Sequence, residues 1–434
     1  DSMTIDASKA SNAVTIFGGA GNDTIIGSSS AASHFDLSAG GEDTVTGSFN
    51  ADNFFFGAAF SAGDVVNGGG GADVLELSDT YASGLTFNAA SFTNINELII
   101  DAPASSTTTV TSSFTTNDAN VAAGKTLVVQ PDAFGAGDTT IFDGSAETDG
   151  KFSISAYASA INILTGGAGN DSFEVTIPTS AAFNTASQFD GGAGYDTFEI
   201  RGMSPHQTVT FNSHSMTNIE ELDLEDVKVT LQNANVAPGA TLAVHISGAI
   251  FDGSAETNGN FTITGSGIAS AVGSQNADTI TLTGVNKHIS VFEGAGGADT
   301  ITYIASQTSQ AQFIYTQASD STGAAHDVVV NFNPSNCNFA MWNTDAVTGV
   351  DAAVTTGALS TASFDTDLAA AVGSGQLAAH HALIFTPDSG TLMGDHFLVV
   401  DANGTAGYQA GQDLVIQLTA PTSLALTMSD FTTR

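Results

Sequence analysis

The residues of this chain best placed to do chemistry are aspartates that close short glycine turns. In Gly166-Gly167-Ala168-Gly169-Asn170-Asp171-Ser172-Phe173-Glu174-Val175, glycine holds the first, second and fourth places and aspartate the sixth. Glycine admits left-handed backbone angles that other residues avoid, so these turns are expected to point successive carbonyls inward at a cation. Asp171 would add a full negative charge, and oxygen ligands of this kind suit Ca2+. Ser172-Phe173-Glu174-Val175 then alternates polar and apolar residues, the pattern of a short strand with one buried face. A turn-plus-strand unit of this size cannot bury its apolar face alone and has to stack on another like it.

The pattern recurs in full at Gly18-Gly19-Ala20-Gly21-Asn22-Asp23, at Gly68-Gly69-Gly70-Gly71-Ala72-Asp73 and at Gly191-Gly192-Ala193-Gly194-Tyr195-Asp196. Gly294-Ala295-Gly296-Gly297-Ala298-Asp299 lacks only the second glycine, and worn copies end at Asp43, Asp52 and Asp278. One such loop reads as half of a calcium site. The pairs Asp23 with Asp43, Asp52 with Asp73, Asp171 with Asp196, and Asp278 with Asp299 are separated by 20 to 25 residues, which allows such pairing if one loop is enlarged. The competing interpretation is that each glycine-aspartate cluster is a tight turn between strands and nothing more.

These motifs resemble the RTX nonapeptide repeat, Gly-Gly-x-Gly-x-Asp-x-U-x with U a large apolar residue. The resemblance implies a right-handed parallel β-roll or β-helix solenoid with calcium-binding turns. Each ion would take carbonyls from two loops on one side and the aspartates of both. The implied ligand set is Gly18, Gly19, Ala20, Gly21 and Asp23; Asp43 and Asp52; Gly68, Gly69, Gly70, Gly71 and Asp73; Gly166, Gly167, Ala168, Gly169 and Asp171; Gly191, Gly192, Ala193, Gly194 and Asp196; and Asp278, Gly294, Gly296, Gly297 and Asp299. Because the copies are scattered singly, several separate Ca2+ ions are expected and not a continuous row.

Composition bears on the partners. The chain has 7 basic residues against 45 acidic ones, a formal charge of −38, which disfavours nucleic acid or an anionic membrane as the main partner because phosphates would be repelled. Divalent cations are the natural counterions. Without them the crowded carboxylates repel one another, so folding and ion binding should be coupled. With 47 glycines and 42 % apolar residues, the chain reads as strands and turns and not as disorder. Cys337 is the single cysteine, which forbids an internal disulfide and marks a small buried side chain. No apolar run is long enough to span a membrane. The start at Asp1, without a signal peptide, suggests a processed or truncated piece of something longer.

Along the chain, residues 1–66 read as opening coils and 67–165 as a first solenoid module. Residues 166–310 read as a second, duplicated module with terminal glycine loops, and 311–434 as a smaller, mainly β cap with one short helix. The duplication is explicit: Gly68–Leu77 matches Gly191–Ile200, and Phe142-Asp143-Gly144-Ser145-Ala146-Glu147-Thr148 matches Phe251-Asp252-Gly253-Ser254-Ala255-Glu256-Thr257. The offset drifts from 123 to 109 residues, so the length differences fall in connecting loops. Each repeated Asp-Gly-Ser-Ala-Glu-Thr turn holds two acids and reads either as an Asx-type turn or as a further cation site. Glu97-Leu98-Ile99-Ile100 and Glu221-Leu222-Asp223-Leu224 read as parallel strands. A helix is expected around Asp365–Leu383, with Gly373-Ser374-Gly375 a candidate break. The adjacent His380 and His381 make a poor metal pair.

In the tail, Phe397-Leu398-Val399-Val400 and Leu414-Val415-Ile416-Gln417-Leu418 read as two strands around a loop, with Asp401, Asn403 and Asp413 placing oxygens for a further calcium. This segment resembles the closing part of type I-secreted RTX and surface-layer proteins of Gram-negative bacteria, which implies export by an uncleaved carboxy-terminal signal. No His-Glu-x-x-His, Gly-x-Ser-x-Gly or phosphate loop occurs, so the chain is not expected to be an enzyme. A carboxylate-only glycosidase is disfavoured by the shortage of basic and aromatic sugar contacts. The expected function is a calcium-dependent extracellular structural protein, a surface-layer or matrix subunit that self-assembles into an oligomer or lattice, with cell-surface polysaccharide a compatible further partner. The alternative is an adhesin, or the calcium-binding export half of a larger toxin or enzyme.

Overall fold

Period-two alternation places an apolar residue inward at every second position, and the strands that result are short and parallel. The computed structural model describes residues 1–434 apart from 79–80, 103–108, 204–206, 268–269, 285–288, 305–308, 342–346 and 434. It is a nearly all-β, parallel β-solenoid with one short α-helix near the C-terminus. Two compact units are distinguished, Asp1–Ser204 with His214–Asp223, and Pro205–Ser213 with Leu224–Arg434.

In the first unit, strands Val14–Phe17, Ser33–Asp36, Asn53–Gly57, Val74–Ser78, Glu97–Asp101, Thr126–Asp132, Lys151–Tyr157, Ser172–Ile177 and Thr197–Gly202 belong to one sheet. Neighbouring strands along it pair in parallel, each one coil from the next. Strands Thr4–Asp6, Thr24–Ile26, Thr44–Ser48, Val65–Gly69 and Phe92–Thr93 form a second parallel sheet, and a six-stranded sheet runs through the later coils. Register stacks like on like. Leu75, Leu98 and Val129 are successive partners, as are Phe114, Phe142, Leu164 and Phe189. All seven are almost fully buried. Burying side chains of this size contributes about 1.5–3 kcal/mol each. Neighbouring rings also touch, as in Phe35 on Phe54, stacked at 4.8 Å.

The second unit repeats the logic. Ile263, Ile280, Ile301, Val329 and Leu418 form one inward column, and Phe292, Phe313, Phe339 and Phe431 another. The solenoid closes by a change of strand direction. Leu414–Thr419 lies parallel to Asp327–Val330, but its other neighbour His396–Val400 is antiparallel, as is His381–Phe385 beyond it. The helix Phe364–Ala371 packs Phe364 and Leu368 onto Leu383, Phe385, Phe397, Val399 and Val415.

That helix is shorter than the sequence pattern suggests. It ends at Ala371, because Val372 leaves helical angles (φ −114°, ψ 67°) just before Gly373, and His381–Phe385 is a strand. Cys337 is buried in the strand Cys337–Met341, as expected of a small apolar side chain. Glu97–Asp101 and Glu221–Glu225 are both strands.

Candidate functional site

The motif aspartates sit where a loop turns into a strand, and all are buried, none more than 3 % exposed. The structure brings together the four pairs expected from the sequence, through one recurring contact. The backbone N–H of one aspartate donates to Oδ1 of its counterpart in the following coil. The bond is 2.8 Å from Asp23 to Asp43, 2.8 Å from Asp52 to Asp73, 2.6 Å from Asp171 to Asp196 and 2.7 Å from Asp278 to Asp299. Chains of buried carboxylates result. Met3 N–H caps the first on Asp23, and Asp43 continues it to Asp64. Asp73 N–H donates to Asn96 Oδ1, Asp196 N–H to Glu220 Oε2, and Asp299 N–H to Asp327 Oδ1.

Asp64, Asn96, Glu220 and Asp327 are the members that the motif search missed. None ends a Gly-Gly-x-Gly turn; the available signal was an acid or amide just before an apolar-alternating strand, one coil length beyond a motif aspartate. The full motifs also do not stack on one another as a set. Asp23 leads into Thr24–Ile26 of the five-stranded sheet and Asp73 into Val74–Ser78 of the long one, and each pairs with a worn copy. Only Asp171 and Asp196 join two full motifs.

The glycines serve two purposes, and conformational freedom is only one of them. Left-handed angles occur in the later loop of a pair, at Gly192 (φ 90°) and Gly194 (φ 141°), but at none of Gly166, Gly167 and Gly169. What excludes a side chain there is the loop's own aspartate and the coils on either side. A Cβ on Gly166 would fall on Asp171 Oδ2 and the Gly191 carbonyl oxygen, and one on Gly169 would strike the Gly150 carbonyl. Gly18, Gly68, Gly191, Gly273 and Gly294 each face the second oxygen of their own motif aspartate in the same way. Loops also bond directly to each other, as when Ala193 N–H donates to the Gly167 carbonyl at 2.9 Å.

The second carboxylate oxygen is therefore the reactive feature. In Asp52, Asp171 and Asp278 it accepts an N–H four residues back, from Ser48, Gly167 and Ser274. In Asp23, Asp43, Asp73, Asp196 and Asp299, Oδ2 is buried and accepts no hydrogen bond, while the Asp327 carboxylate has the Tyr315 hydroxyl beside it. A buried anionic oxygen without a partner is costly, so it is met by a proton or by a cation. Burial, reinforced by the charges of Asp171, Glu220 and Asp190, pushes Asp196 up to about 7. Burial also raises Asp43, Asp73 and Asp278 to about 6. Asp299 and Asp327 are both driven up strongly by burial, Asp299 further by the charge of Asp327.

In the cap, Asp401 and Asp413 are fully buried around the expected loop. Gly404 N–H donates to Asp401 Oδ1 at 2.6 Å, while Ala402 and Gln409 N–H groups serve Asp413. Asp401 Oδ2 is without a partner, and burial raises Asp413 to about 6. Asn403 does not join them through its oxygen, which accepts Thr405 N–H, and its amide turns to Gln409 and Gln412. His381 Nδ1 contacts Asp351 Oδ1 at 2.9 Å.

At the corners the donors are oxygens alone, carboxylate Oδ2 beside carbonyls of the adjoining loop, and such a set fits a hard divalent cation far better than a soft one. The residues that would hold it are the paired aspartates and the carbonyls pressed against the first glycine. The ion would neutralise buried negative charge between coils. Fold and site together define a parallel β-solenoid with acid-lined glycine corners. No protein-family model matches the chain, and a search of curated proteins finds no match.

Proposed function

We propose that this protein is a calcium-dependent structural protein of the cell exterior, a surface-layer or matrix subunit that folds and assembles once Ca2+ occupies its corners. The observation that carries this reading is the set of buried aspartate oxygens without partners, at Asp23, Asp43, Asp73, Asp196 and Asp299, beside glycine turns that resemble RTX loops. Coupled to the formal charge of −38, it makes the compact state depend on a counterion that is scarce in cytosol and plentiful outside cells. The resemblance of the closing segment to type I-secreted proteins supports the same location. Absence of the sequence signatures of hydrolases leaves a non-enzymatic role as the better account, with Ca2+ the cofactor, copies of the same chain the principal partners and surface polysaccharide an anchor of suitable chemistry.

The test is to strip the full chain with chelator, add calcium, and examine it by electron microscopy and circular dichroism. Sheets or filaments that dissolve again in chelator support a lattice subunit. Discrete folded particles point instead to an adhesin or an export module. A chain equally compact in excess EDTA removes calcium from the account.

A further inference from the structure

The duplicated Asp-Gly-Ser-Ala-Glu-Thr turn offers a comparison inside one molecule. In both copies the aspartate makes an Asx turn, Asp143 Oδ1 accepting Ser145 N–H at 3.0 Å and Asp252 Oδ1 accepting Ser254 N–H at 3.2 Å. Both glutamates are fully buried. Their surroundings differ. Glu256 is satisfied on both oxygens, Oε1 by the N–H groups of Thr257, Asn258 and Gly259 and Oε2 by that of Val236. Glu147 Oε1 accepts from Asp149 and Gly150, but Oε2 is buried with no partner.

The residues around the glutamate have changed in step. Asp118 and Asn233 occupy equivalent places: Asp118 Oδ1 accepts the N–H and hydroxyl of Thr148 at 2.8 and 2.5 Å, and Asn233 Oδ1 those of Thr257 at 3.2 and 3.0 Å. Asp149 corresponds to Asn258. In the second copy the two asparagines bind each other, Asn258 Nδ2 donating to Asn233 Oδ1 at 2.9 Å. In the first copy no such bond can form between two ionised carboxylates. Asp118, Glu147 and Asp149 instead bring carboxylate oxygens within 4.8 Å of one another, and no lysine or arginine pairs with them among the described residues. Three like charges at that spacing, one of them on a buried side chain with an orphaned oxygen, repel unless a cation lies between them.

We propose that Asp118, Glu147 and Asp149 form a divalent-cation site outside the glycine corners, one that takes a hard ion such as Ca2+ and that the second copy has lost by exchanging two aspartates for asparagines. Glu147 supplies the buried ligand, and the exposed Asp118 and Asp149 leave room for water to complete the shell. The site joins the turn at Glu147 to the preceding coil at Asp118, so its ion clamps two coils. It does not depend on the corner reading.

The test counts bound Ca2+ on the full chain by native mass spectrometry at millimolar calcium, with circular dichroism as the check on folding. The double variant D118N/D149N should hold one ion fewer than the parent and, in chelator, melt no lower. An unchanged count in the folded variant overturns the site. Should that variant fail to fold, N233D/N258D decides: one additional ion supports the assignment, and none defeats it. D196N separates the two readings, since it changes a corner and leaves Asp118, Glu147 and Asp149 intact. A count that falls in D118N/D149N but not in D196N would keep this site and remove the corner at Asp196.

Discussion

Replacing Asp196 by asparagine should change stability in opposite directions with and without calcium. Asparagine keeps an oxygen for the Asp171 N–H, a bond of 2.6 Å, and deletes the charge on a side chain that is 0 % exposed. Folding raises this carboxyl from 3.8 to about 7. A group raised in the folded state favours folding only while protonated; its contribution is intact below about pH 4 and is lost as pH climbs toward 7. At about 1.4 kcal/mol per pH unit over roughly three units, the ionised side chain in chelator at pH 8 burdens the native state by up to about 4 kcal/mol. Asp196→Asn should recover about half of that or more, a rise in melting temperature of roughly 5–10 °C. The gain should shrink toward zero as the buffer is taken down to about pH 4. In calcium the same variant loses a ligand. If the ion is present at about a thousand times its dissociation constant, the loss is about 4.1 kcal/mol, which outweighs the roughly 2 kcal/mol recovered by removing the charge, and the melting temperature falls below that of the parent. Thermal melts at pH 8 with EDTA and with calcium, repeated at pH 5 in EDTA, give the answer. A variant that is destabilised equally in both media would mean that Asp196 only holds a turn.

Calcium uptake near neutral pH should release protons from Asp43, Asp73, Asp196 and Asp278, all raised to about 6 or 7 by burial. Calorimetric titrations in two buffers of different ionisation enthalpy should therefore give different apparent heats, and identical heats would contradict proton–ion exchange. Ala295 stands in the left-handed region (φ 69°) where the other motifs carry their second glycine, so Ala295→Gly should stabilise by about 1 kcal/mol, seen as a higher melting temperature. Phe189 is 1 % exposed and packs on Phe173, Phe183 and Phe198, with ring centroids 4.3 to 6.4 Å away. Phe189→Ala should cost about 3–5 kcal/mol, measured by denaturant unfolding, in calcium and in chelator alike, because the ring contacts it removes are apolar.

Much of the architecture was legible in the sequence because its determinants are local. Period-two alternation in stretches such as Ser172-Phe173-Glu174-Val175, punctuated by glycine turns at coil-length intervals, specifies short strands that can bury a face only by stacking in parallel. The same spacing identified which aspartates meet across coils, since Asp171 and Asp196 lie one coil apart whatever fills the corner. The duplicated module and the break after Ala371 near Gly373 were likewise written in residue order.

Tertiary structure alone decided what those residues do. That Gly166 is needed for close approach to the Gly191 carbonyl and the Asp171 carboxylate, and not for a left-handed angle, depends on the distance to the neighbouring coil. That Asp64, Asn96, Glu220 and Asp327 extend the carboxylate chains depends on register between segments with no shared motif. The contrast between Glu147 and Glu256, which share the Phe-Asp-Gly-Ser-Ala-Glu-Thr turn, arises from Asp149 against Asn258 just beyond it and from partners 20 to 29 residues upstream, which the turn motif itself cannot encode. Patterns along a chain report which face of an element is apolar, whereas the unmet oxygen of a buried acid is a property of everything that packs around it.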